Sequence, residues 1–273
     1  MADDHARFAG SQPRHYDAGL GPVIFVDYAA DMARRTAAIS PKRVLETAAG
    51  TGIVSRALRD ALPADAAITS TDLNAPMLEV AAAKFGANEK ISFAVVDATA
   101  LPYGDASFDA VVCQYGTMFF PDREKGYREA HRALAPGGHY LFSVWDAQRH
   151  NQFGQITNDL VVELFPADPP KFYNVPFSCS AIDPIKQTLL EVGFDEIAVY
   201  VLPLSKRVSD IPLFVRGLVF GSPLIDEIRS RGTIEPEAVQ EALVQRFRVK
   251  WGNEPCDVPL QTILYSARKR MAI

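Results

Sequence analysis

Cysteine is scarce in this sequence, and its scarcity sets the first limit. The three residues, Cys113, Cys179 and Cys256, stand far apart, form no Cys-x-x-Cys pair and add to an odd total. Neither a disulfide framework nor a zinc knuckle is expected. Excess positive charge is lacking too: 28 Lys and Arg stand against 33 Asp and Glu, for a net charge of −5. Phosphate backbones attract clustered cations, so no nucleic-acid partner is expected. No apolar run reaches the roughly 18 residues that a membrane span requires, and Met1 to Asp17 has no apolar leader segment. A cytoplasmic protein without a membrane span is the expectation. The histidines His5, His15, His131, His139 and His150 show no metal-ligand spacing, so no metal is expected.

What the chain does have is a regular alternation of apolar runs and amphipathic segments. Its 273 residues, 48% hydrophobic, can enclose one sizeable α/β core. Up to Asp146 the rhythm is that of βαβ units. Strands are expected at Arg43 to Thr47, Ala67 to Thr71, Ile91 to Val96, Phe108 to Gln114 and Tyr140 to Trp145. Helices are expected at Val23 to Ala38, at Thr51 to Ala61, from Asn74 as N-cap to a stop at Gly86, and from Pro121 and Asp122 to Leu134. Pro136, Gly137 and Gly138 read as a break. Further on, a helix from Asp183 to Gly193 and strands at Ile197 to Leu202 and Val258 to Ala267 bring the strand count to seven. Between those two strands lies a helical stretch, Phe214 to Val249, whose Val239, Leu243 and Phe247 recur at i, i+4, i+8 and mark one packed face.

One turn carries chemistry. Val44-Leu45-Glu46-Thr47-Ala48-Ala49-Gly50-Thr51-Gly52 joins the first strand to a helix, and glycine there allows a tight turn and close approach to a ligand. A dinucleotide fingerprint would place a third glycine where Ser55 stands, and the reverse alignment fails at Ala48. The segment instead resembles motif I of class I S-adenosylmethionine-dependent methyltransferases, Glu/Asp-x-Gly-x-Gly-x-Gly, with Ala48 in place of the first glycine. If the backbone there needs a positive φ, alanine costs about 1 kcal/mol.

Further stations resemble the same family in the same order. Asp72 ends the second strand, where a carboxylate can accept both ribose hydroxyls of a nucleoside. The resemblance implies that role for Asp72, places Leu73 and Met77 beside the adenine, and places Asp97 and Ala98 near its amino group. Phe108-Asp109-Ala110-Val111-Val112-Cys113-Gln114 resembles the family's fourth strand, with Gln114 at the methionine end of the cofactor. Leu134-Ala135-Pro136-Gly137-Gly138 resembles the turn before the fifth strand. The stretch Gln114 to Asp122 looks most like the ubiquinone/menaquinone-type and related small-molecule methyltransferases.

The resemblance implies a Rossmann-like α/β fold: a seven-stranded, mostly parallel sheet with helices on both faces and a helical insertion before the last strand. It implies S-adenosylmethionine as cofactor, S-adenosylhomocysteine as product, and a binding set of Tyr16, Glu46, Thr47, Ala48, Gly50, Thr51, Gly52, Asp72, Leu73, Met77, Asp97, Ala98 and Gln114. Residues 1–273 then form a single domain, with an N-terminal cap segment at 1–40, a cofactor-binding core at 40–146 and substrate-cap insertions at 147–180 and 206–250.

Catalytic residues stay unassigned at this level; His150, past the fifth strand, is a better base candidate than His139, and Tyr115, after the fourth, is a further catalytic candidate with no assigned chemistry. A base is dispensable for an activated methyl donor, because alignment contributes ~7 to 11 kcal/mol against roughly 3 to 5 for general-base catalysis. Phe153, Phe165, Phe172, Tyr173 and Phe177, with Phe214, Leu218 and Phe220, suit a cap over an apolar or aromatic small molecule. Asp168-Pro169-Pro170-Lys171 resembles the motif of amino-methylating nucleic-acid enzymes, but it follows the wrong strand and lacks the aromatic fourth residue. A homodimer is left open. A non-catalytic S-adenosylmethionine-binding protein and a nicotinamide-dependent oxidoreductase are the alternative readings.

Overall fold

The computed structural model describes residues 6–271, so His5 lies outside it. The strands are β1 (Arg43–Glu46), β2 (Ala67–Asp72), β3 (Ile91–Val95), β4 (Phe108–Gln114), β5 (Leu134–Trp145), β6 (Phe194–Val208) and β7 (Cys256–Lys269). They form one sheet in the order β3-β2-β1-β4-β5-β7-β6. The first five are parallel, while β7 runs antiparallel to both β5 and β6. The sheet is thus mixed and mostly parallel, with a long antiparallel pair at one edge.

Side chains alternate across the sheet and build two cores. On one face Val44, Ile68, Ala110, Val112 and Leu141 meet α2 (Val26–Ala38) and α3 (Ile53–Ala61) through Met32, Ala33, Val54 and Leu58. On the other, Leu45, Val111, Cys113, Tyr140 and Phe142 meet α5 (Arg123–Ala133) and α7 (Ile182–Val192) through Tyr127, Ala130 and Leu189. Coverage of both faces explains why β4 reads as a nearly continuous apolar run. Between these helices α4 (Ala75–Ala82) links β2 to β3.

The second core continues into a helical layer of α6 (Gln152–Leu164), α8 (Ile211–Phe220), α9 (Leu224–Arg231) and α10 (Pro236–Trp251). Val239, Leu243 and Phe247 of α10 are fully buried, and Phe247 packs its ring 5.8 Å from that of Phe214 on α8. Burying each such side chain contributes roughly 1.5 to 3 kcal/mol, which holds the layer on the sheet. At the other end of the chain, α1 (Gln12–His15) runs into a wide π-helical stretch, Tyr16–Phe25, before α2 begins.

Several boundaries differ from the sequence reading, each for a physical reason. The expected break at Pro136-Gly137-Gly138 lies inside β5, because a register slip between Phe108 and Ala110 of β4 absorbs the irregular residues. The helix expected from Val23 starts at Val26, since Gly19, Gly21 and Pro22 favour the wider π-helical path. β6 runs far beyond Ile197 to Leu202 because β7 pairs with it from Phe194 to Val208. Helix α4 stops at Ala82, before Gly86.

Candidate active site

The strand order reverses between β1 and β4, and at their carboxyl ends an open α/β sheet leaves a crevice. A cavity of about 600 Å³ opens there, a size that suits a small-molecule site. Tyr16, Ala48, Gly50, Asp72, Leu73, Met77, Asp97, Ala98 and Gln114 all line it. The other four residues carried over from the family pattern, Glu46, Thr47, Thr51 and Gly52, lie off its surface, behind the turn.

The turn shows why. Ala48, Gly50 and Gly52 all take positive φ, +52°, +56° and +78°. A side chain on Gly50 would meet nothing within 4 Å, whereas one on Gly52 would strike Ala81 of α4 at 2.7 Å. Gly50 therefore exposes backbone to the cavity, and Gly52 lets α3 start close against α4. Thr47 and Thr51 are buried in the turn.

Glu46 is buried beneath, accepting hydrogen bonds from the hydroxyls of Ser55 and Ser70. Ser55, the residue that spoils a dinucleotide fingerprint, is thus committed to Glu46. Burial lifts the Glu46 carboxyl to about 7, against the pull of those two hydroxyls. A carboxyl whose pKa rises on folding favours the fold while protonated: its contribution is complete below about 4.5 and is lost as pH rises through about 7. Glu46→Gln should remove that loss, on the order of 2 kcal/mol, and flatten the fall in stability between pH 5 and pH 8. Denaturant unfolding at both pH values checks this, and an unchanged slope in the variant contradicts it.

Asp72 reaches the cavity from β2. Its Oδ2 accepts from the Gly50 N–H at 2.8 Å and its Oδ1 from the Asn74 N–H at 2.8 Å, so the carboxylate ties the turn to the end of its own strand. Burial raises its pKa while these hydrogen bonds oppose the rise. Asp97 is oriented by Thr99, whose N–H and hydroxyl both donate to Oδ1. Gln114 donates from Nε2 to the Phe25 carbonyl at 3.3 Å, and its Oε1 is buried without a hydrogen-bond partner.

Beyond Gln114 the lining turns aromatic. Tyr115 stacks on Trp145 with ring centroids 4.0 Å apart, Trp145 meets Phe153 edge-on, and Phe153 meets Phe177. Phe119 stacks over Phe172 on the facing wall. Tyr115 itself takes φ +54°, a strained conformation for a bulky residue of the kind found at ligand sites. Its hydroxyl is buried beside Thr262 and burial holds its pKa far above the usual value, so it is a poor proton acceptor.

The structure places His150, the base candidate, outside this cavity. After β5 the chain turns toward β7, and His150 lies in a separate shallow hollow with Arg149, Pro203 and Gln261. Adjacency to a strand's carboxyl end does not determine which side the chain leaves by. Among the described lining residues of the main cavity, Arg7, Asp72 and Asp97 are the only charged side chains, and none is histidine. Arg7, Phe8, Asn74, Gly116 and Trp145 also line it, beyond the expected site residues.

A family model described as a methyltransferase domain matches residues 45–142, the span that holds β1, β2, β4 and the turn. Over that span the chain is similar to class I S-adenosylmethionine-dependent methyltransferases. A demethylmenaquinone methyltransferase of Deinococcus radiodurans is 39% identical over 118 residues, covering 43% of this chain and 48% of that protein. The chain spans about half the length of that protein and of a demethylmenaquinone methyltransferase of Thermus thermophilus. A malonyl-[acyl-carrier protein] O-methyltransferase of Geobacter sulfurreducens is 26% identical over 85% of both chains. Among solved structures, a Haemonchus contortus phosphoethanolamine N-methyltransferase in complex with S-adenosylhomocysteine shares the fold at a TM-score of 0.63. It is 18% identical, over 99% of this chain and 60% of that one.

The residues that line the cavity fit S-adenosylmethionine. Gly50 leaves open space beside the turn, Asp72 presents a carboxylate, and the orphaned Gln114 Oε1 offers an acceptor where the cofactor's ammonium would come. Two lining carboxylates against the single cation Arg7 suit a cationic ligand better than the diphosphate of a nicotinamide dinucleotide.

Proposed function

We propose that this methyltransferase transfers a methyl group from S-adenosylmethionine to an apolar or aromatic small molecule. The observation that carries the proposal is the division of one cavity into a polar half at β1, β2 and β4 and an aromatic half bounded by Trp145, Phe153, Phe172 and Phe177. When bound, S-adenosylmethionine supplies an electrophilic methyl group. In this reading Asp72 holds the ribose, Leu73, Met77, Asp97 and Ala98 flank the adenine, and Gly50 and Gln114 bind the amino-acid tail. The aromatic wall orients the acceptor and excludes water, so catalysis rests on alignment in a dry site.

No lining residue is suited to take a proton from the acceptor. Tyr16, Tyr115 and Tyr173 all have pKa values pushed up by burial, and the two carboxylates sit at the cofactor end. The acceptor atom must therefore be nucleophilic by its own ionisation or lone pair. Relatives named for demethylmenaquinone point toward a quinol-like aromatic acceptor. A carboxylate acceptor, as the malonyl relative's name describes, is disfavoured because the aromatic half offers it no cation. A cytoplasmic setting fits the three unpaired cysteines.

Methyl transfer to a series of phenols and hydroquinones of graded acidity, read by mass spectrometry of the product, tests the proposal. The pH at which the rate is half-maximal should track each acceptor's own pKa. A midpoint that stays fixed across the series would reveal a protein base and contradict the assignment; transfer to none of them would remove the aromatic acceptor.

A further inference from the structure

Asn74 stands at the N-cap position of α4, where an asparagine side chain ordinarily accepts a hydrogen bond from the first turn of its own helix. Here it makes no such bond. Its amide is turned outward and fully used elsewhere: Oδ1 accepts from the Phe8 N–H at 3.0 Å, and Nδ2 donates to the Ala6 carbonyl at 3.0 Å and to Asp72 Oδ1 at 3.2 Å. One side chain thus joins the backbone of residues 6–8 to the carboxylate at the cofactor end of the cavity. Ala6, Arg7 and Phe8 line that cavity on the outer side.

The segment that Asn74 grips is a strap across the cavity mouth. Past Phe8, Gln12 donates to Asp226 of α9 at 2.7 Å, and Asp17 pairs with Lys84 beside α4. Gly19 approaches α8 so closely that a side chain on it would come within 2.6 Å of the Leu213 carbonyl. Tyr16, Leu20 and Phe25 from the same strap face the cavity. Its later part is packed on the helical layer, whereas residues 6–8 are held by Asn74 and by the edge of the Phe8 ring against Tyr16, so that end is the part able to lift when a ligand enters or leaves.

We propose that Asn74 is a positioning residue that latches the N-terminal strap shut over the bound cofactor, with Asp72 as the shared contact. The proposal rests on the reading of Asp72 as the ribose-binding carboxylate. A helix lacking its cap bond gives up local stability, and the compensation is a tertiary contact to a strap over the ligand. Occupancy of Asp72 and closure of residues 6–8 are then linked through one amide, so each favours the other.

Asn74→Ser separates the latch from the cap. Serine is as good an N-cap as asparagine but too short to reach Ala6 and Phe8. Calorimetry and stopped-flow with S-adenosylhomocysteine should show dissociation from Asn74→Ser about tenfold faster than from the wild type, the loss of the two hydrogen bonds to the strap together with the one to Asp72. The melting temperature should be unchanged or slightly raised, and ligand-induced amide protection of residues 6–11 should disappear. Asn74→Ala should behave like Asn74→Ser in dissociation. Wild-type dissociation and protection in Asn74→Ser would overturn the latch, as would equal protection of residues 6–11 with and without ligand in the wild type. Failure of the wild type itself to bind S-adenosylhomocysteine would instead strike the cofactor reading.

Discussion

Asp72→Ala is expected to weaken S-adenosylhomocysteine binding about a hundredfold while leaving the fold intact. Two hydrogen bonds from a diol to a carboxylate contribute ~1.5 to 3 kcal/mol each, and about 2.7 kcal/mol already amounts to a hundredfold change in Kd. The carboxylate also receives the Gly50 N–H and both donors of Asn74, so its loss loosens the turn and the N-terminal strap together. Asp72→Asn keeps shape but loses charge and should fall between, near tenfold. The fold should survive because the turn keeps its backbone hydrogen bonds to the neighbouring strands, Thr47 N–H to the Val112 carbonyl and Ala49 N–H to the Thr71 carbonyl. Titration calorimetry, with circular dichroism to show intact structure, measures both. Unchanged affinity in Asp72→Ala would remove the ribose assignment.

Gly116→Ala is expected to be a damaging single-methyl change at the cavity wall. A Cβ there would come within 2.4 Å of the Ala48 Cβ and 2.7 Å of the Cys113 sulfur. Neither neighbour can swing away: one is anchored to the turn, the other lies in the middle of the buried sheet. Overpacking of this kind costs ~1 to 3 kcal/mol, a fall of about 5 °C in Tm for a domain of this size. It would also push Ala48 and Gly50 toward the cavity and weaken cofactor binding. Ala48 explains the constraint, because alanine where the family carries glycine fills space that only a glycine at 116 leaves free. Ala48→Gly combined with Gly116→Ala should recover part of the Tm, since the closest contact goes while Cys113 remains. Additive losses in the double variant would show that the two positions do not share that space.

The cofactor half of the site was largely readable from sequence, and the reason is local. Asp72, Asp97 and Gln114 each sit at or just beyond a strand's carboxyl end, so recognising the strand also places the residue. The same logic misplaced Glu46, because the last residue of β1 points back under the turn to Ser55 and Ser70. Ala48 at φ +52° confirms that a positive φ is needed at the position where the family pattern has glycine.

What resisted sequence reading depends on long-range convergence. The aromatic half is assembled from segments near 119, 145–153, 172–177 and 218, brought together only by the helical layer. Asn74 was read as a cap, which its position supports, but its partners Ala6 and Phe8 are 68 and 66 residues away. His150 lies away from the main cavity because its segment turns toward β7. Strain at Tyr115 has no sequence signature, since a tyrosine rarely takes that backbone conformation.

The most direct test of the central claim is a paired calorimetric titration of the wild-type chain with S-adenosylhomocysteine and with NADH. A cavity with two carboxylates and no third turn glycine should bind S-adenosylhomocysteine at one site per chain and should not bind NADH measurably at the same concentrations. Binding of NADH in preference to S-adenosylhomocysteine, or of neither, would contradict it.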